Sequence, residues 1–126
     1  MAGEDARSAA QASQQAADEK RQMARDLRAE ADAHENEAGQ MRRNAVKDAA
    51  DANVDPARAQ MHTAHAANQM RTAGNENKMA AEKRQRAAQL DNEANQDTSN
   101  VYMLNDLADK AEAAEGTAQD AANKVI

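Results

Sequence analysis

The chain contains no cysteine, phenylalanine or tryptophan, and one tyrosine, Tyr102. Without thiols there is no disulfide, no thiol nucleophile and no Cys-based zinc site. Without Phe and Trp, the side chains that dominate globular cores are missing. One proline and four glycines punctuate 126 residues, so turns are scarce. β-Branched residues are few and do not alternate with polar ones, which leaves strands without a signal. No apolar run approaches the roughly 20 residues of a membrane span. The longest, Val101-Tyr102-Met103-Leu104, has four residues, and the opening MAGEDARSAA lacks the apolar stretch of a secretory signal. Basic residues number 16 against 22 acidic ones, a net charge of −6. The acid excess is heaviest over residues 99–126. A chain of this sign offers no basic face to phosphates, so nucleic-acid contact is not expected.

What is present is alanine, 34 residues of it. The larger apolar set is 7 Met, 4 Leu, 4 Val, 1 Ile and 1 Tyr. That is too little to fill the core of a self-contained enzyme with a roofed pocket. Ala, Glu, Gln, Arg, Lys, Met and Leu are the strong helix formers, and they dominate. The expectation is an all-α, coiled-coil-like chain, ordered in an assembly: a long kinked amphipathic helix or a helical hairpin.

The helix pattern has a period of seven. From position 10 it reads Ala10, Ala17, Ala24, Ala31, Ala38, Ala45, Ala52, Ala59, Ala66, Ala73, Ala80, Ala87, Ala94, Val101 and Ala108: fourteen alanines in fifteen places. A seven-residue repeat returns one helix face to the same side of a left-handed supercoil, and small residues there let another backbone approach. These positions are read as an oligomer seam, position a. The companion d positions are irregular, and ten of eighteen are polar, among them Lys20, His34, Asp48, His62, Glu76, Lys83 and Asp97. Buried unpaired charge is costly. Either the seam is narrow and Ala-only, with d side chains reaching to water, or several helices surround a hydrated lumen.

Two further patterns organise the chain. Residues 19–31 and 82–94 share EKRQxAxxLxxEA, with eight identities in thirteen. Breaks are expected at Asn53-Val54-Asp55-Pro56, with Asp55 as N-cap and Pro56 at the first helical position, and more weakly at Thr72-Ala73-Gly74-Asn75; the polar cluster 95–100 is expected to cap a helix starting near residue 99, and Gly116-Thr117 to end it. The segments are then a long helix over 4–53, a helical segment over 56–95 and a C-terminal helix over 99–126. The alanine phase passes Pro56 without slipping, which favours one kinked rod; a hairpin folded at 53–56 is the main alternative.

Candidate chemistry is thin. His62 and His65 stand at i, i+3 on one helix face, but no Asp or Glu lies between Asp55 and Glu76 to supply a third ligand, so they read as surface polar residues. His34 and His62 share the d position, where stacked imidazoles in an oligomer would loosen near pH 6. Gln-Met recurs at 22–23, 40–41, 60–61 and 69–70, a source of adaptable apolar contacts. Val101, Tyr102, Met103, Leu104 and Leu107 form the most apolar stretch and the candidate docking cluster, with Tyr102 as anchor and Val125 and Ile126 as a small apolar addition. No nucleophile motif, phosphate-binding glycine loop or HExxH metal motif occurs. No catalytic residue, metal or cofactor is expected.

The segments EKRQMARDLRAEA (19–31) and NQMRTAGNENKMAAEKRQRAAQL (68–90) resemble the small internal core, or ejection, proteins of short-tailed bacteriophages. That resemblance implies a ring or tube of helices in the virion, packed against portal or tail components. Residues 109–122, DKAEAAEGTAQDAA, look like the repeats of late-embryogenesis-abundant proteins, which implies a desiccation protectant that is coil in water and helix when dried. The expected role is a non-enzymatic structural protein, a homo-oligomer that meets other structural proteins, placed in a virion or otherwise in the cytoplasm. The alternatives are the protectant and a cytoplasmic coiled-coil adaptor. If position a is a contact surface, Ala45→Glu and Ala80→Glu should each lower helicity and weaken self-association, read by circular dichroism and light scattering.

Overall fold

The computed structural model describes residues 2–125, and the side chains of residues 2–124; Ile126 and the side chain of Val125, expected to extend the apolar cluster, lie outside the described residues. Helix α1 (Ala2–Val54) leads through one 3-10 turn (Pro56–Arg58) into helix α2 (Ala59–Val125). The two helices pack closely and antiparallel, and no strand occurs among the described residues. Of the two expected all-α forms, the chain adopts the hairpin rather than the rod.

The reversal is built around the lone proline. Asp55 leaves helical geometry at φ −121° and ψ 81°. Its amide donates to the Asp51 carbonyl at 2.9 Å, the last bond of α1, and its carbonyl accepts from the Arg58 amide at 3.1 Å. Pro56 has no amide hydrogen to donate, so the first position of the 3-10 turn suits it. The expected side-chain cap by Asp55 is not made; its carboxylate stands 4.0 Å from Arg58 Nε instead. The preserved alanine phase across Pro56 was a poor guide to a rod. A short turn of suitable length brings the same heptad face back on the inner side of the returning helix.

The chain divides into two units. In the first, formed by the described residues up to Met23 and from Gln89 onward, Ala10 and Ala17 of α1 and Ala94 and Ala108 of α2 are buried with Leu90, and Val101 is half-buried. Gly3 continues the α1 stripe one heptad earlier: a Cβ there would stand 3.1 Å from Glu112 Cγ and 3.6 Å from the Ala108 carbonyl oxygen. In the second unit, Ala24–Ala88, Ala24, Ala31, Ala38 and Ala45 are buried on α1 and Ala73, Ala80 and Ala87 on α2. Ala52, Ala59 and Ala66, nearer the turn, are half-buried. The stripe read as an oligomer seam is therefore closed within one chain. A heptad pattern says that a face is covered; it does not say whose helix covers it.

Three expected interruptions are absent. Helix α2 runs unbroken through Gly74, the 95–100 cluster and Gly116, so the segment boundary at 95–99 is not a helix boundary. One local and one cross-helix partner account for the polar cluster: Thr98 donates its hydroxyl to the Ala94 carbonyl one turn back at 3.0 Å, an ordinary way for Thr to sit within a helix, and Asp97 accepts from Lys20 Nζ of α1 at 2.8 Å. Nothing lies within 4 Å of a Cβ placed on Gly74, and the residue keeps negative φ. Gly74→Ala should raise unfolding stability by about 0.5–1 kcal/mol in urea titrations, whereas Gly3→Ala should gain less, because its Cβ crowds Glu112.

Candidate functional site

The polar d positions lie along the edges of the alanine seam. Ser13, Lys20, His34, Asp48, His62, Gln69, Glu76, Lys83 and Asp97 are all half-buried, the narrow seam with flanking polar side chains rather than a lumen. Most of the charged ones reach a partner on the other helix. In the first unit Lys20 Nζ meets Asp97 at 2.8 Å, Arg21 Nη2 donates to Thr98 Oγ1 at 2.7 Å, and Arg7 donates to Glu112 at 2.7 and 2.9 Å and to Asp109 at 2.8 Å. In the second, Lys83 Nζ meets Glu30 at 2.7 Å, and Arg84 holds Asp32 at 2.6 Å and Glu35 at 2.9 Å. These last pairs explain the repeated EKRQ: each Lys-Arg pair reaches across to the opposite helix. The repeat was visible in sequence, but its partners were not.

The histidines behave differently from the expectation of imidazole layers between chains. In the second unit His34 Nδ1 contacts Glu76 Oε2 at 2.5 Å, and Glu37 completes a group whose ligand atoms lie within 4.8 Å of one another. His62 Nδ1 stands 4.0 Å from Asp48 Oδ1, and Asp51 joins it in a second such group. His65, the sequence neighbour first considered with His62, is exposed and belongs to neither group. No acid stands near His62 along α2; Asp48 and Asp51 of α1 are brought beside it by the turn.

The expected docking cluster divides in two. Val101 and Leu104 are half-buried, while Tyr102, Met103 and Leu107 point outward at 73%, 64% and 55% exposure. The helix geometry requires this split, because successive residues are turned by about 100°. In the second unit a shallow apolar groove is lined by Val46, Ala49, Thr63, Ala66, Ala67 and Met70. Compared with protein-family models, curated proteins and solved structures, the chain shows no match.

Three of the cross-helix acids carry a pH signature. The His34 hydrogen bond holds Glu76 below the usual glutamate range, Lys83 does the same for Glu30, and Arg7 for Glu112. A carboxylate with a depressed folded-state pKa contributes stability that is present above its unfolded value and lost as pH falls through the folded value. The thermal midpoint should therefore drop once pH falls below the ordinary glutamate value of 4.5. Glu76→Gln should lower the midpoint at neutral pH and remove part of that acid-induced drop, measured by circular dichroism melts at a series of pH values.

Proposed function

We propose that this protein is a non-enzymatic structural component that self-associates through the outer apolar faces of its hairpin, and that its setting is a bacteriophage virion. The observation that carries the reading is where the large apolar side chains lie. Of only 17 in the chain, Met23, Val46, Val54, Met61, Met70, Met79, Tyr102, Met103 and Leu107 are exposed large hydrophobics. The alanine seam closes without them, so half of a scarce apolar set stays available for contact with a neighbouring molecule. The self-association proposed from the sequence is kept, but its surface moves from the alanine stripe to these outer residues. Met suits contacts that adapt to a neighbour's shape, and Tyr102 supplies the one aromatic anchor. The phage setting rests on the segments at 19–31 and 68–90, whose composition resembles internal core proteins; other structural proteins of the same particle are the proposed further partners.

The test separates seam from surface. Leu104 is half-buried, so substitutions belong on the outward residues. Tyr102→Ser combined with Leu107→Asp should reduce the sedimenting species to monomers at concentrations where the parent chain is oligomeric, with helicity unchanged. A parent chain that sediments as a monomer throughout, or a double variant that still assembles, overturns the reading. A parent chain that is coil in dilute solution and turns helical only on drying favours the protectant instead.

A further inference from the structure

The geometry points to a divalent transition-metal site formed by Asp48, Asp51 and His62 beside the turn, holding the end of α1 to the start of α2. Asp48 and Asp51 are three residues apart in the last turns of α1, so both face one side. His62 stands one turn into α2, and the reversal at Asp55–Arg58 carries it opposite them. One ligand atom from each residue lies within 4.8 Å of the other two, and all three side chains are half-buried. Two observations distinguish this group from an ordinary ion-pair cluster. His62 Nδ1 is itself buried and has no hydrogen-bond partner, an arrangement that native structures rarely leave unexplained. Its separation from Asp48 Oδ1 is 4.0 Å, too long for a hydrogen bond and a few tenths of an ångström beyond the roughly 3.3–3.6 Å that separates two ligand atoms of a tetrahedral zinc with bonds of about 2.0–2.2 Å.

The comparison within the same unit is instructive. His34, Glu37 and Glu76 present the same donor types, yet there His34 Nδ1 has closed onto Glu76 at 2.5 Å. Those donors satisfy one another; the donors at His62 do not. One imidazole and two carboxylates, with no thiolate, suit a first-row ion such as Zn2+ over Mg2+ or Ca2+, which take oxygen ligands. Three protein donors leave the remaining positions to water. Such an ion cross-links the two helices across the turn, and by mass action it favours the folded hairpin. This inference is independent of the assembly reading.

Zinc chloride titrated into the chelator-treated full chain, followed by calorimetry, tests it. One equivalent should bind, the melting midpoint should rise with excess Zn2+, and the His62 imidazole resonances should shift. Asp48→Asn and His62→Gln, each checked for retained helicity, should weaken binding at least tenfold and abolish the rise, while His65→Gln and His34→Gln leave both unchanged. Absence of saturable binding to the parent chain overturns the proposal. So does full-strength binding to His62→Gln, or loss of binding in His34→Gln or His65→Gln with His62→Gln unaffected.

Discussion

Close approach of two alanine faces is the constraint from which the rest of this structure follows. A methyl side chain fills little space, so stripes of Ala let α1 and α2 pack with their backbones near one another. Burial of one methylene-sized group is worth about 0.8 kcal/mol, so no single alanine dominates. Stability is spread along each stripe in small equal parts. Small residues dominate the stripe, with Val101 half-buried on it, and Gly3 takes the place of alanine where a Cβ would stand 3.1 Å from Glu112 Cγ. The narrowness of the seam decides what can happen beside it: larger side chains at d stand at its edge, half in water, where charge is tolerated.

That edge gives the hairpin its pairing rules. Alanine stripes are nearly featureless, and a helix could slide along another by a heptad with little change in packing. The cross-helix pairs are not featureless. Lys20 with Asp97, Lys83 with Glu30 and Arg84 with Asp32 and Glu35 match only in one register. Each exposed pair contributes little energy alone, about 0–1 kcal/mol, but a slip would separate all of them at once. In this chain charge supplies alignment and alanine supplies adhesion. Leu90 is buried beside the seam, and about half of the large apolar residues are left to the outer faces.

Much of this is legible in the amino-acid sequence. The helical class follows from the near absence of Pro, Gly and β-branched residues. The seven-residue alanine phase marked the covered face, with Ala17, Ala24, Ala31 and Ala38 fully buried and Ala52, Ala59 and Ala66 half-buried. The polar d positions left a narrow seam and a hydrated lumen both open, and within this chain they stand half-buried beside the alanine stripe. The failures have physical causes. The 95–100 cluster reads as a break because its residues favour caps when alone; Lys20 and Arg21 of α1 supply partners that keep it helical. His62 lacked a ligand partner along its own helix because Asp48 and Asp51 lie on the other side of the turn. Tyr102 and Leu104 read as one cluster in the linear sequence, and the helix turns them to different sides.

The sequence by itself determined that the chain is helical, which face of each helix is covered, and that large apolar side chains are too few for a conventional core. These are local properties, set by propensity and by a period of seven. Only the tertiary structure decided that the covering helix belongs to the same chain, which acid each lysine, arginine and histidine meets, and which apolar side chains remain outside. Periodicity is indifferent to whether a partner helix is the next molecule or the same molecule turned back. The turn at Asp55–Arg58 settles that choice, because it joins the two stripes through a short link and makes the internal partner the nearest one.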